Sequence, residues 1–153
     1  MVKPINVYTN PEQAKILRMK AEPVIGMPDH VKQLIEDLMD TCAAHPTCVG
    51  LSSNQIWTEQ SPAPAVFVMK MRDGIFRCVN PEITKIWKKE IKDEEGCMSM
   101  PGVKRKVVRP RHIQVSYYDV EGRFYKDVDI FDMGARIFCH EYDHLQGKLI
   151  GDK

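Results

Sequence analysis

Two histidines and a glutamate near the end of the chain have the types and spacing of a metal-dependent hydrolytic site. Residues 140–144 read HEYDH, so the histidines are four residues apart and Glu141 follows the first of them. On a helix this spacing places both imidazoles on one face, where they can hold one ion while the glutamate handles protons. Such sites need a third protein ligand and keep a further position open for water.

The third ligand is expected upstream of this segment. Nine residues follow His144, and none of them is His, Cys or Glu. A thermolysin-like site would take a later glutamate, and Ile150 occupies the position where a metzincin-like pattern places a histidine. The upstream candidates are the other imidazoles and thiols of the chain: His30, His45, His112, Cys42, Cys48, Cys78 and Cys97.

Cys97 differs from the other thiols in its sequence context. It lies in DEEGCMSMPG, where a strand-like segment meets Gly96 and then Pro101-Gly102, which predicts a thiol held on a constrained turn. Cys42 falls on the apolar stripe of a predicted helix and Cys78 in a predicted strand, so both are expected to pack in the core.

Helical and strand-like patterns predict an α+β fold. Apolar residues between Pro28 and His45 recur at steps of three and four, which predicts an amphipathic helix. Strand-like segments flank Asp73-Gly74 and Glu121-Gly122, so each pair is expected to form an antiparallel hairpin. The last segment returns to helical spacing, with Asp132 as the predicted N-cap and Gly147 as the stop. We therefore expect antiparallel β-sheets packed around a buried C-terminal helix that carries HEYDH.

Composition narrows the class of protein. The 153 residues suit one domain, 1–153, and 22 Lys and Arg against 21 Asp and Glu give no signal for nucleic acid or an anionic membrane. The N-terminus lacks the apolar core of a signal peptide, and no apolar run reaches membrane-spanning length. Five cysteines without an export signal are expected to be reduced thiols. These features predict a cytoplasmic protein without a membrane or nucleic-acid partner.

Three segments together resemble the motifs of the peptide deformylase family. EGCMS, residues 95–99, is similar to its Glu-Gly-Cys-Leu-Ser motif, and HEYDH is similar to its metal-binding helix. CVGLSSNQ, residues 48–55, is similar to Gly-x-Gly-Leu-Ala-Ala-x-Gln, with Cys48 replacing the first glycine and Ser52 and Ser53 replacing the alanines. The ending resembles the short family members known from bacteriophages and some other sources, which lack a further C-terminal helix.

The resemblance implies a ligand set and a metal. By similarity, Cys97, His140 and His144 hold one divalent ion per chain, with water in the fourth position. A site of two imidazoles and one thiolate accepts several first-row metals. Fe(II) is the expected native ion, with Zn, Ni or Co as alternatives.

The resemblance also implies catalytic groups. By similarity, Glu141 moves protons, and Gln55 faces the oxyanion together with the backbone N–H of Met98. A general base beside an activated water and two preorganised donors for a developing oxyanion are the parts needed to hydrolyse an amide. The family resemblance implies that this amide is the N-formyl group of N-formylmethionyl nascent peptides, with formate as the product and transient proximity to the ribosome.

A binding pocket is expected beside these groups. By similarity, Val49, Gly50 and Gly96 lie along the bound peptide. Helical spacing puts Met133 and Ile137 on the face of the histidines, where they offer apolar surface for a methionine side chain.

The roles of Arg136 and Cys48 have two interpretations each, and two other functions remain as alternatives. Arg136 is expected to be solvated, with a bond to the peptide at the pocket mouth as the alternative. Cys48 is expected to pack, with a reactive thiol as the alternative. A metalloendopeptidase would share the HEYDH helix, and a non-catalytic zinc-stabilised module would share the ligands, but neither explains all three motifs.

Overall fold

The computed structural model describes residues 1–152 and has the predicted α+β architecture. The helices are α1 (Pro11–Leu17), α2 (Asp29–Ala44) and α3 (Asp132–Leu145), and a single 3-10 turn spans Ser53–Gln55. The strands are β1 (Gly50–Ser52), β2 (Val66–Met71), β3 (Gly74–Ile86), β4 (Glu90–Cys97), β5 (Met100–Pro110), β6 (His112–Tyr118) and β7 (Phe124–Phe131). No helix within residues 1–152 combines the length and apolar character needed to cross a membrane.

The strands form two antiparallel sheets. One has five strands in the order β1-β2-β3-β6-β7, and the other consists of β4 and β5 alone. Both predicted hairpins are confirmed: β2 turns into β3 before Gly74, and β6 turns into β7 around Gly122. Gly74 and Gly122 have φ values of 135° and 83°, a region that residues with a Cβ rarely adopt.

The core lies on both faces of the five-stranded sheet. Alternation along β2 sends Val66 and Val68 toward α2, while Phe67 and Met69 point toward α3. Phe138 of α3 meets Phe67 edge-on, with ring centroids 5.0 Å apart. Each large apolar side chain buried in this way contributes about 1.5–3 kcal/mol. This packing fixes helix α3 against the sheet. The predicted helix between Pro28 and His45 is confirmed: it is α2.

The predicted start of helix α3 was wrong, and its predicted end is confirmed. Asp132 is not the N-cap: it is the first residue of the helix, and its carboxylate accepts a hydrogen bond from Arg111 Nε over 2.7 Å. Phe131 occupies the cap position without a capping side chain, and the backbone N–H of Asp132 donates to the carbonyl oxygen of Arg111 over 2.8 Å. Gly147 follows the last turn as predicted, with φ of 77° and no room for a Cβ beside the carbonyl oxygen of Arg18.

Candidate active site and metal centre

Helix α3 and the end of β4 bring two imidazoles and one thiol together. Cys97 Sγ lies 3.3 Å from His144 Nε2, and His144 Nε2 lies 3.2 Å from His140 Nε2. Tetrahedral coordination at metal–nitrogen and metal–sulfur distances of about 2.0–2.3 Å would place neighbouring ligand atoms about 3.3–3.6 Å apart. The donor set and its spacing therefore fit one divalent ion. Among residues 1–152, no other three His, Cys, Asp or Glu side chains form such a group.

The other proposed ligands lie elsewhere. His112 is stacked between Trp87 and Phe131, with ring centroids 3.5 and 4.1 Å away. Cys42 and Cys78 are buried in the two core clusters, as their positions predicted.

Glu95 orients His140 from behind. Its Oε1 lies 2.9 Å from His140 Nδ1, which leaves Nε2 free to face the cluster. Burial would raise the pKa of this carboxyl, but hydrogen bonds from His140 and Arg109 outweigh it and lower the pKa to about 2. Glu95 is thus a carboxylate at neutral pH. This role of Glu95 was not predicted, although its place directly before Gly96 and Cys97 in the EGCMS segment was a usable signal.

Two arginines complete the surroundings of Glu95. Arg109 donates to both carboxylate oxygens over 2.9 and 3.0 Å and to Asp143 over 2.6 Å. Arg136 donates to Glu95 over 2.5 Å and to the carbonyl oxygens of Val107 and Ile91 over 3.1 and 2.7 Å. The prediction that Arg136 is solvated was wrong: the β4–β5 sheet folds over α3 and buries it.

Glu141 is buried beside the edge strand β1. A Cβ on Gly50 would lie 2.7 Å from Glu141 Oε2, so only glycine permits this approach. Glu141 Oε1 has no hydrogen-bond partner within residues 1–152. Burial raises the pKa of Glu141 to about 7, which suits a group that both accepts and donates a proton near neutral pH.

The two histidines titrate differently in this environment. Burial lowers the pKa of His144 well below its usual value, so this imidazole is neutral and able to coordinate a metal. Burial also opposes the charged form of His140, but hydrogen bonds with Cys97 and Glu95 raise its pKa to about 10. Metal binding would therefore displace a proton from His140.

The loop after β1 holds Gln55 in one orientation. Gln55 Oε1 accepts from the backbone N–H and the hydroxyl of Ser52 over 2.9 and 3.1 Å. Its amide nitrogen donates to Ser99 Oγ over 3.0 Å and lies 4.0 Å from Cys97 Sγ. Ser53 donates to the carbonyl oxygen of Pro64 over 2.6 Å. The serines that replace the expected alanines thus stabilise this loop.

Asn54 connects the same loop to α3. Its Nδ2 donates to the carbonyl oxygen of His144 over 2.6 Å, and its Oδ1 accepts from Ser52 Oγ over 2.9 Å. The sequence motif leaves this position unspecified, so it carried no signal.

A pocket of about 500 Å³ opens beside the cluster of Cys97, His140 and Glu141. All the residues predicted to bind substrate line it: Val49, Gly50, Gly96, Met133 and Ile137. Met98, in the turn between β4 and β5, also lines it, and so do charged side chains that the sequence did not place there: Asp93, Glu94, Glu95 and Lys104. Arg136, which the alternative prediction placed at the pocket mouth, lines the pocket as well.

Cys48 also borders this pocket, but its thiol is enclosed. Its sulfur lies 2.9 Å from Cys42 Sγ and 3.2 Å from the carbonyl oxygen of Gly50. The hydrogen bond with Cys42 and burial raise the pKa of Cys48 far above the usual thiol value. This environment favours the packing role over a reactive thiolate.

Comparison with known proteins places this arrangement in a family. The family model described as polypeptide deformylase matches residues 2–153. The chain belongs to the polypeptide deformylase family. It is 36% identical to a peptide deformylase of Thermoanaerobacter pseudethanolicus over 139 residues, which cover 91% of this chain and 83% of that protein.

Solved structures of deformylases share the fold over nearly their whole length. The crystal structure of peptide deformylase from Thermotoga maritima has a TM-score of 0.85 at 32% identity and covers 98% of this chain and 95% of that one. The actinonin-bound class I type b peptide deformylase from Acinetobacter baumannii has a TM-score of 0.84 at 26% identity, with 97% and 95% covered. Polypeptide deformylases are metal-dependent hydrolases, which agrees with the Cys97, His140 and His144 cluster.

Proposed function

We propose that this protein removes the N-formyl group from the N-terminal formylmethionine of nascent polypeptides, releasing formate and a free amine. The observation that carries the proposal is the buried Glu141 beside Gly50, next to the three candidate metal ligands, in a chain of the deformylase family. A structural zinc module would have no use for a buried carboxyl group with an unpartnered oxygen at an open pocket.

We assign the metal to Cys97, His140 and His144. A divalent ion held there supplies Lewis acidity, which polarises a carbonyl and lowers the pKa of water. Fe(II) is our proposal for the native ion, with Zn, Ni or Co as alternatives, because a thiolate with two imidazoles accepts all four. The hydrogen bond from His140 to Glu95 keeps this ring oriented toward the ion.

The catalytic steps use three groups of the chain. Glu141 accepts a proton from the water that attacks the formyl carbon and returns one to the leaving amine, for which a pKa of about 7 is suited. Gln55 Nε2 and the backbone N–H of Met98 donate to the oxyanion that forms. Because Ser52 and Ser99 already orient the amide of Gln55, little reorganisation is needed during the reaction.

The substrate lies between two exposed strand edges. β1 is the edge of the five-stranded sheet, so Gly50 offers main-chain groups to an extended peptide. Val49, whose carbonyl oxygen already accepts from the backbone N–H of Lys70, and Gly96 of β4 face the same pocket. Met133 and Ile137 contact the methionine side chain. Recognition through main-chain groups accepts nascent chains of varied sequence. We infer that the enzyme is a single domain, residues 1–153, and that it works in the cytoplasm close to the ribosome.

The test is formate release from a formyl-methionyl tripeptide by protein reconstituted without oxygen. An acetyl-methionyl peptide and a blocked peptide with only internal bonds serve as controls. We expect hydrolysis of the formyl peptide alone. Cleavage of the internal-bond peptide would favour a metalloendopeptidase, and a folded, metal-loaded protein inactive on all three would favour a zinc-stabilised module.

The metal assignment has its own test. Metal-free protein is loaded anaerobically with each ion, and activity is measured before and after exposure to air. We expect the Fe(II) form to be most active and to decay in air, the Ni(II) and Co(II) forms to persist, and the Zn(II) form to be slower. An air-stable Fe(II) form, or a Cys97→Ala variant that binds metal as tightly as the parent, would contradict the assignment.

A further inference from the structure

The pocket beside the metal centre has walls of different polarity. Val49, Met133 and Ile137 contribute apolar surface. Arg136 lies between Met133 and Ile137 on α3, one turn before His140, and lines the same pocket although its side chain is buried. A substrate side chain that passes from the metal centre along α3 therefore meets a guanidinium as well as apolar surface.

The guanidinium of Arg136 has N–H donors that make no hydrogen bond to the protein. An arginine carries five N–H donors. Arg136 makes three hydrogen bonds, through Nη1 and Nη2, to Glu95 and to the carbonyl oxygens of Val107 and Ile91. Within residues 1–152 no acceptor faces Nε, and Nε is not among the fully enclosed side-chain atoms that lack a partner. Nε therefore retains some exposure, in a residue that lines the pocket.

The position of this donor is fixed. Glu95 and two backbone carbonyl groups hold the guanidinium, so Arg136 cannot swing out to solvent without breaking three bonds. Apart from the proposed ligand His140 and the proposed base Glu141, the other charged residues that line the pocket are Asp93, Glu94, Glu95 and Lys104. Asp93, Glu94 and Lys104 are exposed, and the carboxylate of buried Glu95 can only accept hydrogen bonds. Arg136 is thus the buried cationic donor available to a side chain in this pocket.

We propose that Arg136 makes this pocket a hydrogen-bonding site that admits formyl-methionine sulfoxide as well as formyl-methionine. The inference rests on the proposed deformylase function. A thioether sulfur is a weak acceptor, whereas a sulfoxide oxygen is a strong one. An apolar pocket excludes the sulfoxide because the oxygen loses water without gaining a partner. A fixed guanidinium donates a hydrogen bond to the sulfoxide oxygen in place of the lost water. The bond that is hydrolysed is still the formyl C–N bond.

The experiment compares kcat/KM for tripeptides beginning with formyl-methionine, formyl-norleucine and formyl-methionine sulfoxide, which differ only in the first side chain. For the wild-type holoenzyme we expect the sulfoxide peptide to reach at least about one tenth of the methionine value. In Arg136→Met the sulfoxide-to-methionine ratio should fall about tenfold or more, and Arg136→Lys should restore part of it.

The matched control is Arg109→Met, which removes another arginine from Glu95 but does not line the pocket. Its effect should be the same on all three substrates, so the ratio stays within about twofold of wild type. A wild-type ratio below about one tenth, an unchanged ratio in Arg136→Met, or an equal drop in Arg109→Met would overturn the proposal. Hydrolysis of the methionine and norleucine peptides with any of these results leaves the proposed function intact, whereas no hydrolysis of either would overturn both.

Discussion

Asn54 Nδ2 donates a hydrogen bond to the carbonyl oxygen of His144 over 2.6 Å, between residues 90 positions apart in the chain. Asn54 directly precedes Gln55, and both are buried. The bond therefore ties the loop that carries the proposed oxyanion donor to the helix that carries two proposed metal ligands. The relative position of these groups depends on this contact as well as on core packing.

Replacing Asn54 with alanine is expected to lower both stability and turnover. The His144 carbonyl keeps a bond from the Gly147 N–H and the Ser52 hydroxyl keeps a bond to Gln55, so each group loses one of two partners. The free energy of unfolding should fall by about 0.5–1.5 kcal/mol for each lost hydrogen bond. Urea unfolding measures the stability, and formate release measures kcat. Ser53→Ala, which removes a hydrogen bond to Pro64 instead, should lower kcat less. An Asn54→Ala variant with the wild-type unfolding midpoint would contradict the role of this contact.

Gly50→Ala is expected to damage activity more than stability. The added Cβ would lie 2.7 Å from Glu141 Oε2, so the carboxyl group must move away from its position beside the proposed metal ligands. Moving the proposed general base by about 1 Å should cost about a hundredfold in kcat. Kinetics and thermal unfolding of the same preparation measure the two effects. Full activity in this variant would show that the position of Glu141 against Gly50 does not matter.

Glu141→Ala is expected to keep about one metal ion per chain while turnover falls about 10²–10⁴-fold, the range for general acid–base groups. The reason is that Glu141 follows His140 on α3 but is not among the three proposed ligands. Metal analysis and formate release on one sample give both numbers. Loss of the metal together with activity would make Glu141 a ligand, and near-normal turnover would remove it from the mechanism.

Glu95→Gln is expected to weaken metal binding about 10–100-fold, because His140 loses the carboxylate that orients its ring. It should also change the pH dependence of stability. The pKa of Glu95 is lowered from 4.5 to about 2 on folding, so its ionised form stabilises the fold above pH 4.5 by about 3 kcal/mol.

This contribution is lost as the pH falls from 4.5 through about 2. Denaturant unfolding of both proteins from pH 7 to pH 2.5 should therefore show the largest difference near neutral pH and a smaller one in acid. A constant difference across this range would mean that the charge on Glu95 does not stabilise the fold.

The local features of this protein were predictable from its sequence. The helix between Pro28 and His45 and the hairpins at Asp73-Gly74 and Glu121-Gly122 follow from periodicity and turn residues, which are properties of neighbouring positions. The HEYDH segment places its two histidines on one face by helix geometry alone. The order of the three motifs along the chain indicated the family.

The tertiary structure decided which side chains meet. Cys97 reaches His144 from 47 residues upstream, and Glu95 meets Arg136 across 41 residues. Asp132 was predicted as a helix cap but pairs with Arg111, and Arg136 was predicted to be solvated but is buried under the β4–β5 sheet. A polar side chain takes the partner that the folded elements bring within hydrogen-bond distance, and burial makes an unmade bond costly. Sequence periodicity fixes the face on which such a residue lies, whereas its partner depends on strands and loops far away along the chain.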